Sequence, residues 1–385
     1  LPDGLIYLDG NSLGPLPLAV RERLDEVVDV EWGGDLIVSW NTNDWIGLPA
    51  RVGAKIARLI GAPEEAVIVG DSTTVQIFKL LVAATRLRPD RRVLVTDPAN
   101  FPTDSYVVAS VARLTGLELR WYDPTDLPDS LDETVAAVEL SHVDYRTGRM
   151  YDAAGITKAI HDVGAVVLWD LCHSAGAVPV DLDGWDADLA VGCGYKYLNG
   201  GPGAPAFGYV HPRWHDVLDQ PIAGWMGHAA PFALERDYRP APGVARLSAG
   251  TPPILSMAAL DAALDAFDGV AMADVRAKSL ALTDLFVALV EERLSGYGVT
   301  VEVPRQHEQR GSHVCLRHPG AYGLVQALIA RGVVGDFRDP DYARFGFTPL
   351  YLRFVDVWDA VDHMADVLSS RAWDLPEFAI RAAVT

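Results

Sequence analysis

The sequence predicts an α/β protein: a large domain built on a mainly parallel sheet, followed by a smaller C-terminal α+β domain. Short apolar runs alternate with helix-length amphipathic segments across the first two thirds of the chain, the pattern of strands covered by helices on both faces. One such run, Ala165 to Trp169, ends in Asp170, and ligands in open α/β sheets sit at the carboxyl ends of strands. After Pro252-Pro253 the pattern changes to a long alanine-rich stretch and then to short mixed elements.

Ala66 to Val69 reads as a strand, and Gly70-Asp-Ser-Thr-Thr74 as the turn that caps a helix from Thr74 to Leu87. A strand at Arg92 to Thr96, a helix at Ser105 to Leu114, a strand at Ala136 to Leu140, a helix at Ile156 to Asp162 and the strand ending at Trp169 continue the alternation. The alanine-rich stretch predicts one long helix from Leu255 to about Leu294. Beyond it, strands are expected at Val299 to Val303 and His313 to Arg317, and helices at Gly323 to Arg331 and Val357 to Leu368. The boundary falls near Phe267, giving a large domain over 46–266 and a small one over 267–385. Arg239 to Gly243, rich in proline and glycine, reads as a surface loop.

Composition removes several classes of function. Half of the 385 residues are hydrophobic, yet no run approaches a membrane span. A net charge of -20 argues against a nucleic-acid partner. Three cysteines, Cys172, Cys193 and Cys315, are too few for a disulfide framework and suit a reducing cytoplasm. They lack the paired spacing of a zinc site, so no metal is expected. Gly200-Gly-Pro-Gly203 lacks the spacing of a dinucleotide fingerprint. Leu1 rather than methionine opens the sequence, so a short preceding segment is expected; nothing near it has the basic and apolar regions of a signal peptide.

The chemistry lies in Leu168-Trp-Asp-Leu-Cys-His-Ser-Ala-Gly176 and Gly192-Cys-Gly-Tyr-Lys-Tyr-Leu-Asn-Gly-Gly-Pro-Gly203. A strand-end aspartate can hold the ring nitrogen of pyridoxal phosphate protonated, and a lysine in a glycine-rich loop can bond its aldehyde. Taken singly, Asp170 could be an N-cap and Lys196 a snorkelling surface residue. The helix start at Gly70–Thr74 can supply amides to a phosphate, or be ordinary capping.

Tyr195-Lys196 and Asp170-x-x-His173 resemble the active-site strings of kynureninase, a fold-type I pyridoxal-phosphate-dependent hydrolase. The resemblance extends to Tyr7-Leu-Asp-Gly-Asn-Ser-Leu-Gly-Pro15, Asn100-Phe-Pro-Thr-Asp104, Gly224-Trp-Met-Gly-His228, Leu247-Ser-Ala-Gly-Thr-Pro-Pro-Ile254 and Pro349-Leu-Tyr351. These strings span nearly the whole chain. The resemblance implies hydrolytic Cβ–Cγ cleavage of L-kynurenine, or a 3-hydroxy or other ring-substituted relative, to an anthranilate and L-alanine. Such a reaction belongs to tryptophan catabolism through the kynurenine pathway and to NAD biosynthesis.

The same resemblance assigns roles to residues. Lys196, Tyr195 and Asp170 are the catalytic candidates. Thr73, Thr74, Phe101, Asp104, Ser141, Asp170, His173, Tyr195, Lys196, Trp225 and Thr251 match cofactor-contact positions, with Phe101 stacking on the ring. Arg344, in Arg344-Phe-Gly-Phe-Thr-Pro-Leu-Tyr351, matches the substrate-carboxylate arginine, with Arg353 as a nearby decoy suited to a surface salt bridge. Thr251 matches the form that favours kynurenine itself, and Trp40 is a candidate for the aryl pocket, with Trp45 close by. Trp225 and Thr251 match positions that reach a neighbouring subunit's site, which implies a homodimer, and residues 1–45 match an arm that packs with the small domain.

Two other readings share parts of this pattern. A cysteine desulfurase or selenocysteine lyase would keep Asp170 and Lys196, but would place a histidine before the lysine and a cysteine on a mobile loop. Here Tyr195 precedes Lys196, and Cys315 alternates like a strand residue. A non-catalytic binding protein of the same fold would not need Lys196, Tyr195 and Arg344 together.

Overall fold

Strands buried on both faces set the architecture of the computed structural model, which describes residues 1–382. The chain enters through β1 (Ile6–Tyr7). A seven-stranded sheet follows, made of β2 (Val67–Val69), β3 (Val93–Thr96), β4 (Glu118–Trp121), β5 (Val135–Ser141), β6 (Val166–Asp170), β7 (Leu189–Cys193) and β8 (Ala206–Val210), in the order β2-β8-β7-β6-β5-β3-β4. Strands β4, β3, β5, β6 and β7 are mutually parallel, and β8 runs antiparallel to both β7 and β2. In β6, Val166 and Leu168 join the core under the helices Thr73–Leu87 and Pro102–Thr115, whereas Val167 and Trp169 join the opposite core. Burial on both faces is why these strands read as continuous apolar runs. By the same alternation Asp170, Ser141 and Cys193 close their strands on the face of the Thr73–Leu87 helix. The chain reverses its direction of travel across the sheet at β3 and β5, so the loops after these strands diverge and leave a crevice.

The remaining strands, β9 (Thr300–Val301), β10 (His313–Arg317), β11 (Val333–Val334), β12 (Asp336–Arg338) and β13 (Tyr342–Gly346), belong to the C-terminal part. Four of them form an antiparallel sheet ordered β12-β13-β10-β9. A separate apolar core gathers Phe286, Phe345, Phe347, Val357 and Met364 there; the Phe286 ring lies 5.6 Å from Phe345 and 4.9 Å from Phe347. Residues 383–385 of the expected small domain lie outside the described residues.

Two expectations need correction. The long helix from Leu255 is broken into Ile254–Leu264 and Met272–Leu294, with a 3-10 turn and Gly269 at φ +71° between them. Alanine content favours helix on both sides, but this backbone turn is open to glycine and strained for other residues. Residues 1–45 are also divided. β1 pairs in parallel with β11, and Ile6 and Leu8 enter the small core. The helix Leu18–Glu26 instead sets Val20 against Ala259 and Ala263, and Val27 and Trp45 join the large core. No helix among the described residues is long and apolar enough to cross a membrane.

Docking of the first strand carries Asp9 into the small domain. Burial first, and then the neighbouring Asp336, pushes its carboxyl up to about 7, against Ser12, Arg344 and Arg338, which pull it down. Between its ordinary value and about 7 the folded chain holds a proton that the unfolded chain releases, so this contribution to stability is lost as pH rises through that window. Asp9→Asn should therefore match the wild type in Tm at pH 4 and exceed it progressively toward pH 8. A Tm difference that does not change with pH in thermal scans contradicts this.

Candidate active site

Asp170 is buried at the end of β6, where its Oδ1 accepts a hydrogen bond from the Cys172 amide at 2.7 Å. Asp104 faces it from the first turn of the helix Pro102–Thr115, which Pro102 starts with a pre-set φ. Burial, then the charges of Asp170 and Glu139, hold the Asp104 carboxyl well above the ordinary range. If Asp104 were ionised its buried Oδ2 would have no partner; protonated, it donates to Asp170. Behind them Glu139 accepts from Thr96 Oγ1 and Asn100 Nδ2, both at 2.9 Å, and burial raises it to about 8. Three carboxyls thus crowd one buried pocket, in which Asp104 and Glu139 keep their protons for want of a cation.

Lys196 reaches the same edge from the loop after β7. Its Nζ lies 3.0 Å from His173 Nε2, 5.9 Å from the Phe101 ring centroid and 6.0 Å from that of Tyr195. Burial, and then Lys196 and His313, hold His173 well below its ordinary value, so the ring is neutral at physiological pH; its Nδ1 is buried without a partner. The arm seals the loop from outside. Gly14 N donates to Tyr195 O at 2.8 Å, and a side chain at Gly14 would meet Lys196 O at 2.4 Å. Only glycine fits that approach. Burial raises the Tyr195 phenol far above its usual value and keeps it protonated.

The wall opposite the sheet edge is Phe101, set by Asn100, whose Oδ1 accepts from the Phe101 amide at 2.8 Å and from Ser141 Oγ at 2.7 Å. Phe101 meets Tyr145 edge to face at 5.2 Å and remains 40% exposed. An aromatic face left open beside a lysine is a stacking surface for a planar ring. Ser72 caps the Thr73–Leu87 helix through Val75 N, leaving the first amides, at Thr73 and Thr74, without an intrahelical carbonyl. Thr73 Oγ1 lies 3.9 Å from Cys172 Sγ, which ties this helix start to the Asp170 loop.

Arg344 is fully buried in β13 and bound on several sides: Nε and Nη2 donate to Asp336 at 2.8 and 2.5 Å, Nη2 to Ser12 Oγ at 2.9 Å and Nη1 to Tyr145 O at 2.6 Å. Arg353 instead pairs with Asp356 at 2.6 Å on the surface, as a decoy should. Trp225, packed on Phe232 at 5.5 Å, and Thr251 are exposed, and no hydrogen bond or ring contact joins either to Lys196 among the described residues. Trp40 packs edge-on to Trp45 at 5.8 Å and also makes no such contact with Lys196. An apolar cavity of about 440 Å³ is lined by Trp32 and Trp45 with Pro253–Ser256, and Trp40 does not line it. Sequence reasoning passed over Asp336, Tyr145, Asn100 and His313. Asn100 lay inside a quoted string, but Asp336 meets Arg344 only through the β12–β13 pairing.

These residues fit pyridoxal phosphate. A protonated ring nitrogen would give the Asp170–Asp104 pair its missing cation, the Phe101 face would cover the ring, Lys196 would bond the aldehyde and the helix start would face the phosphate.

The family model for the kynureninase C-terminal domain matches residues 275–364. A kynureninase of Burkholderia mallei is 53% identical over 392 aligned positions, covering 100% of this chain and 94% of the relative. One from Pseudomonas fluorescens is 49% identical with the same coverage. Among solved structures, a cysteine desulfurase of Thermococcus onnurineus superposes with TM-score 0.80 at 18% identity, covering 95% of both chains. A C-DES variant with glycine covalently linked to its PLP cofactor gives 0.81 at 18% identity, covering 94% of this chain and 97% of that one. At such identity these structures support the fold alone.

Asp170→Asn keeps the shape of the site and removes the charge that a protonated ring nitrogen would face. Equilibrium titration of the cofactor-free variant with pyridoxal phosphate should give a Kd raised about 10- to 100-fold, the value of one charge-assisted hydrogen bond. An unchanged Kd contradicts the assignment.

Proposed function

The chain belongs to the kynureninase family, and we propose that it hydrolyses the Cβ–Cγ bond of L-kynurenine to anthranilate and L-alanine, with pyridoxal phosphate as cofactor. The observation that carries this is the convergence of Lys196 on His173 beneath the open face of Phe101, at the sheet edge where Asp170 is buried. When bound, pyridoxal phosphate supplies an electron-withdrawing ring that stabilises negative charge on the substrate next to its amine.

The chain's own groups divide the remaining work. With the cofactor in place Lys196 would take the α-proton, with the neutral His173 ring as its hydrogen-bond partner. Arg344 orients the α-carboxylate through its planar guanidinium. Water adds to the γ-carbonyl carbon, the Cβ–Cγ bond breaks as the aryl acid leaves, and Cβ gains a proton. Tyr195, whose phenol stays protonated, is the donor for that proton.

Trp225 and Thr251 complete the site of a partner subunit in a homodimer. Supporting this, both are exposed and neither contacts its own Lys196, and Ile222, Phe232 and Leu234 add apolar surface to the same segment. Three free, buried cysteines accord with a cytoplasmic location. The desulfurase reading is disfavoured because Cys315 is buried in the middle of β10, opposite Arg344, and not on a loop.

Lys196→Ala should abolish both turnover and the visible absorbance of the lysine-linked cofactor; retention of either contradicts the assignment. Thr251→Asn should shift the ratio of kcat/KM for 3-hydroxykynurenine over kynurenine upward by about tenfold, the scale of one polar contact to a ring hydroxyl. A constant ratio removes Thr251 from substrate choice.

A further inference from the structure

Arg344 has a feature that its assigned role does not explain. A side chain that is to receive a substrate carboxylate already holds a carboxylate, and both partners of that pair are only 2% exposed. Four hydrogen bonds occupy four of the five guanidinium N–H groups. Asp336 takes the Nε and Nη2 edge; Ser12 and the Tyr145 carbonyl sit on the Nη2 and Nη1 side. Asp336 and Arg344 are direct cross-strand neighbours of β12 and β13, so the pair is fixed by sheet register and not by chance side-chain reach. Arg338 grips the same Asp336 Oδ2 at 2.6 Å.

From this geometry we propose that Asp336 is a positioning residue for substrate: by holding one edge of Arg344 it turns the Nη1/Nη2 edge toward the Tyr145–Phe101 wall, where the amino acid's carboxylate docks. The proposal rests on the reading of Arg344 given above. The Nη1 group bonds the Tyr145 carbonyl, the Tyr145 ring meets Phe101 edge to face and Phe101 lies beside Lys196, so a continuous run of contacts joins this edge to the lysine. Ser12, a neutral hydroxyl that accepts from Arg344 at 2.9 Å and donates to Asp336 at 3.1 Å, is the ligand that the substrate carboxylate replaces; Asp336 stays. Asp336 is shared by two guanidiniums, and Asp9 beside them is pushed up to about 7, so while Asp9 keeps its proton the cluster has room for one more carboxylate. An asparagine at 336 offers one acceptor and a donor where Arg344 needs two acceptors, and the guanidinium loses its orientation.

The test uses the holoenzyme with two readouts: KM and kcat for L-kynurenine, and the Kd of L-alanine, an amino acid with no γ-carbonyl to cleave, read from the visible absorbance. Measured well below the variant's own Tm, which the loss of the buried carboxylate lowers, Asp336→Asn should raise KM and the L-alanine Kd about tenfold or more and keep kcat within about threefold. Asp336→Glu, which keeps the charge, should recover part of the loss. In an Arg344→Lys background, Asp336→Asn should add nothing further, as expected for a residue acting through Arg344. An unchanged KM and Kd in folded Asp336→Asn, or effects that add independently to those of Arg344→Lys, overturn the proposal. Should Asp336→Asn not fold, Asp336→Glu carries the test: a raised Kd at wild-type Tm supports the proposal, and an unchanged Kd refutes it. Wild-type protein that binds L-alanine but releases no anthranilate refutes the proposed reaction, while the Kd series still decides the role of Asp336.

Discussion

The buried pair of Arg344 and Asp336 is the junction on which the site's closure depends. Its partners come from three separate parts of the chain: β12 and β13 supply the pair, the first residues supply Ser12, and the loop after β5 supplies the Tyr145 carbonyl. The small domain and the lysine-bearing domain have separate apolar cores, so polar contacts of this kind set how they meet around the site. Buried ion pairs earn little net stability against apolar replacements, because desolvation offsets the attraction. Their value is geometric: a bidentate pair locked by strand register fixes a plane, and a plane is what carboxylate recognition requires.

On the other side of the lysine the same physics runs with opposite sign. Asp170, Asp104 and Glu139 crowd carboxyl groups into a space that water does not reach, and Asp104 and Glu139 are pushed upward as a result. That arrangement is costly without a cation and satisfied by one. Toward the small domain lie Lys196, His173, His313, Arg338 and Arg344, and burial first, then the neighbouring cations, drives both histidines to the neutral form. The site is therefore polarised across the lysine, with acid beneath the place for a cationic ring and base toward the places for anionic groups.

Much of this was legible in the sequence, for identifiable reasons. Strand β6 ends in Asp170 as the apolar run requires, and β10 runs from His313 to Arg317 as its alternation indicates. Strands β7 and β8 escaped because an alanine and a glycine alternate with larger residues in each, which lowers strand propensity on both sides of the lysine loop, and β4 because charged Glu118 and Arg120 occupy an edge. The long helix was overextended because propensity does not register one glycine at positive φ. Residues that bond an atom of the reaction are carried in compact strings, which is why Lys196, His173 and Asp170 could be picked out together. Residues that act through another side chain are not: Asp336 meets Arg344 across a hairpin, and Asn100 sets Phe101 through its own side chain, so neither carries a spacing signal.

The proposed reaction needs pyridoxal phosphate held at Lys196 and a β-acyl amino acid bound beside it. The most direct test adds L-kynurenine to purified, cofactor-loaded protein and follows visible absorbance together with both products. A band that shifts on mixing, with anthranilate and L-alanine accumulating in equal amounts, is the expected result. A shifted band with neither product, or alanine formed without anthranilate, would contradict it.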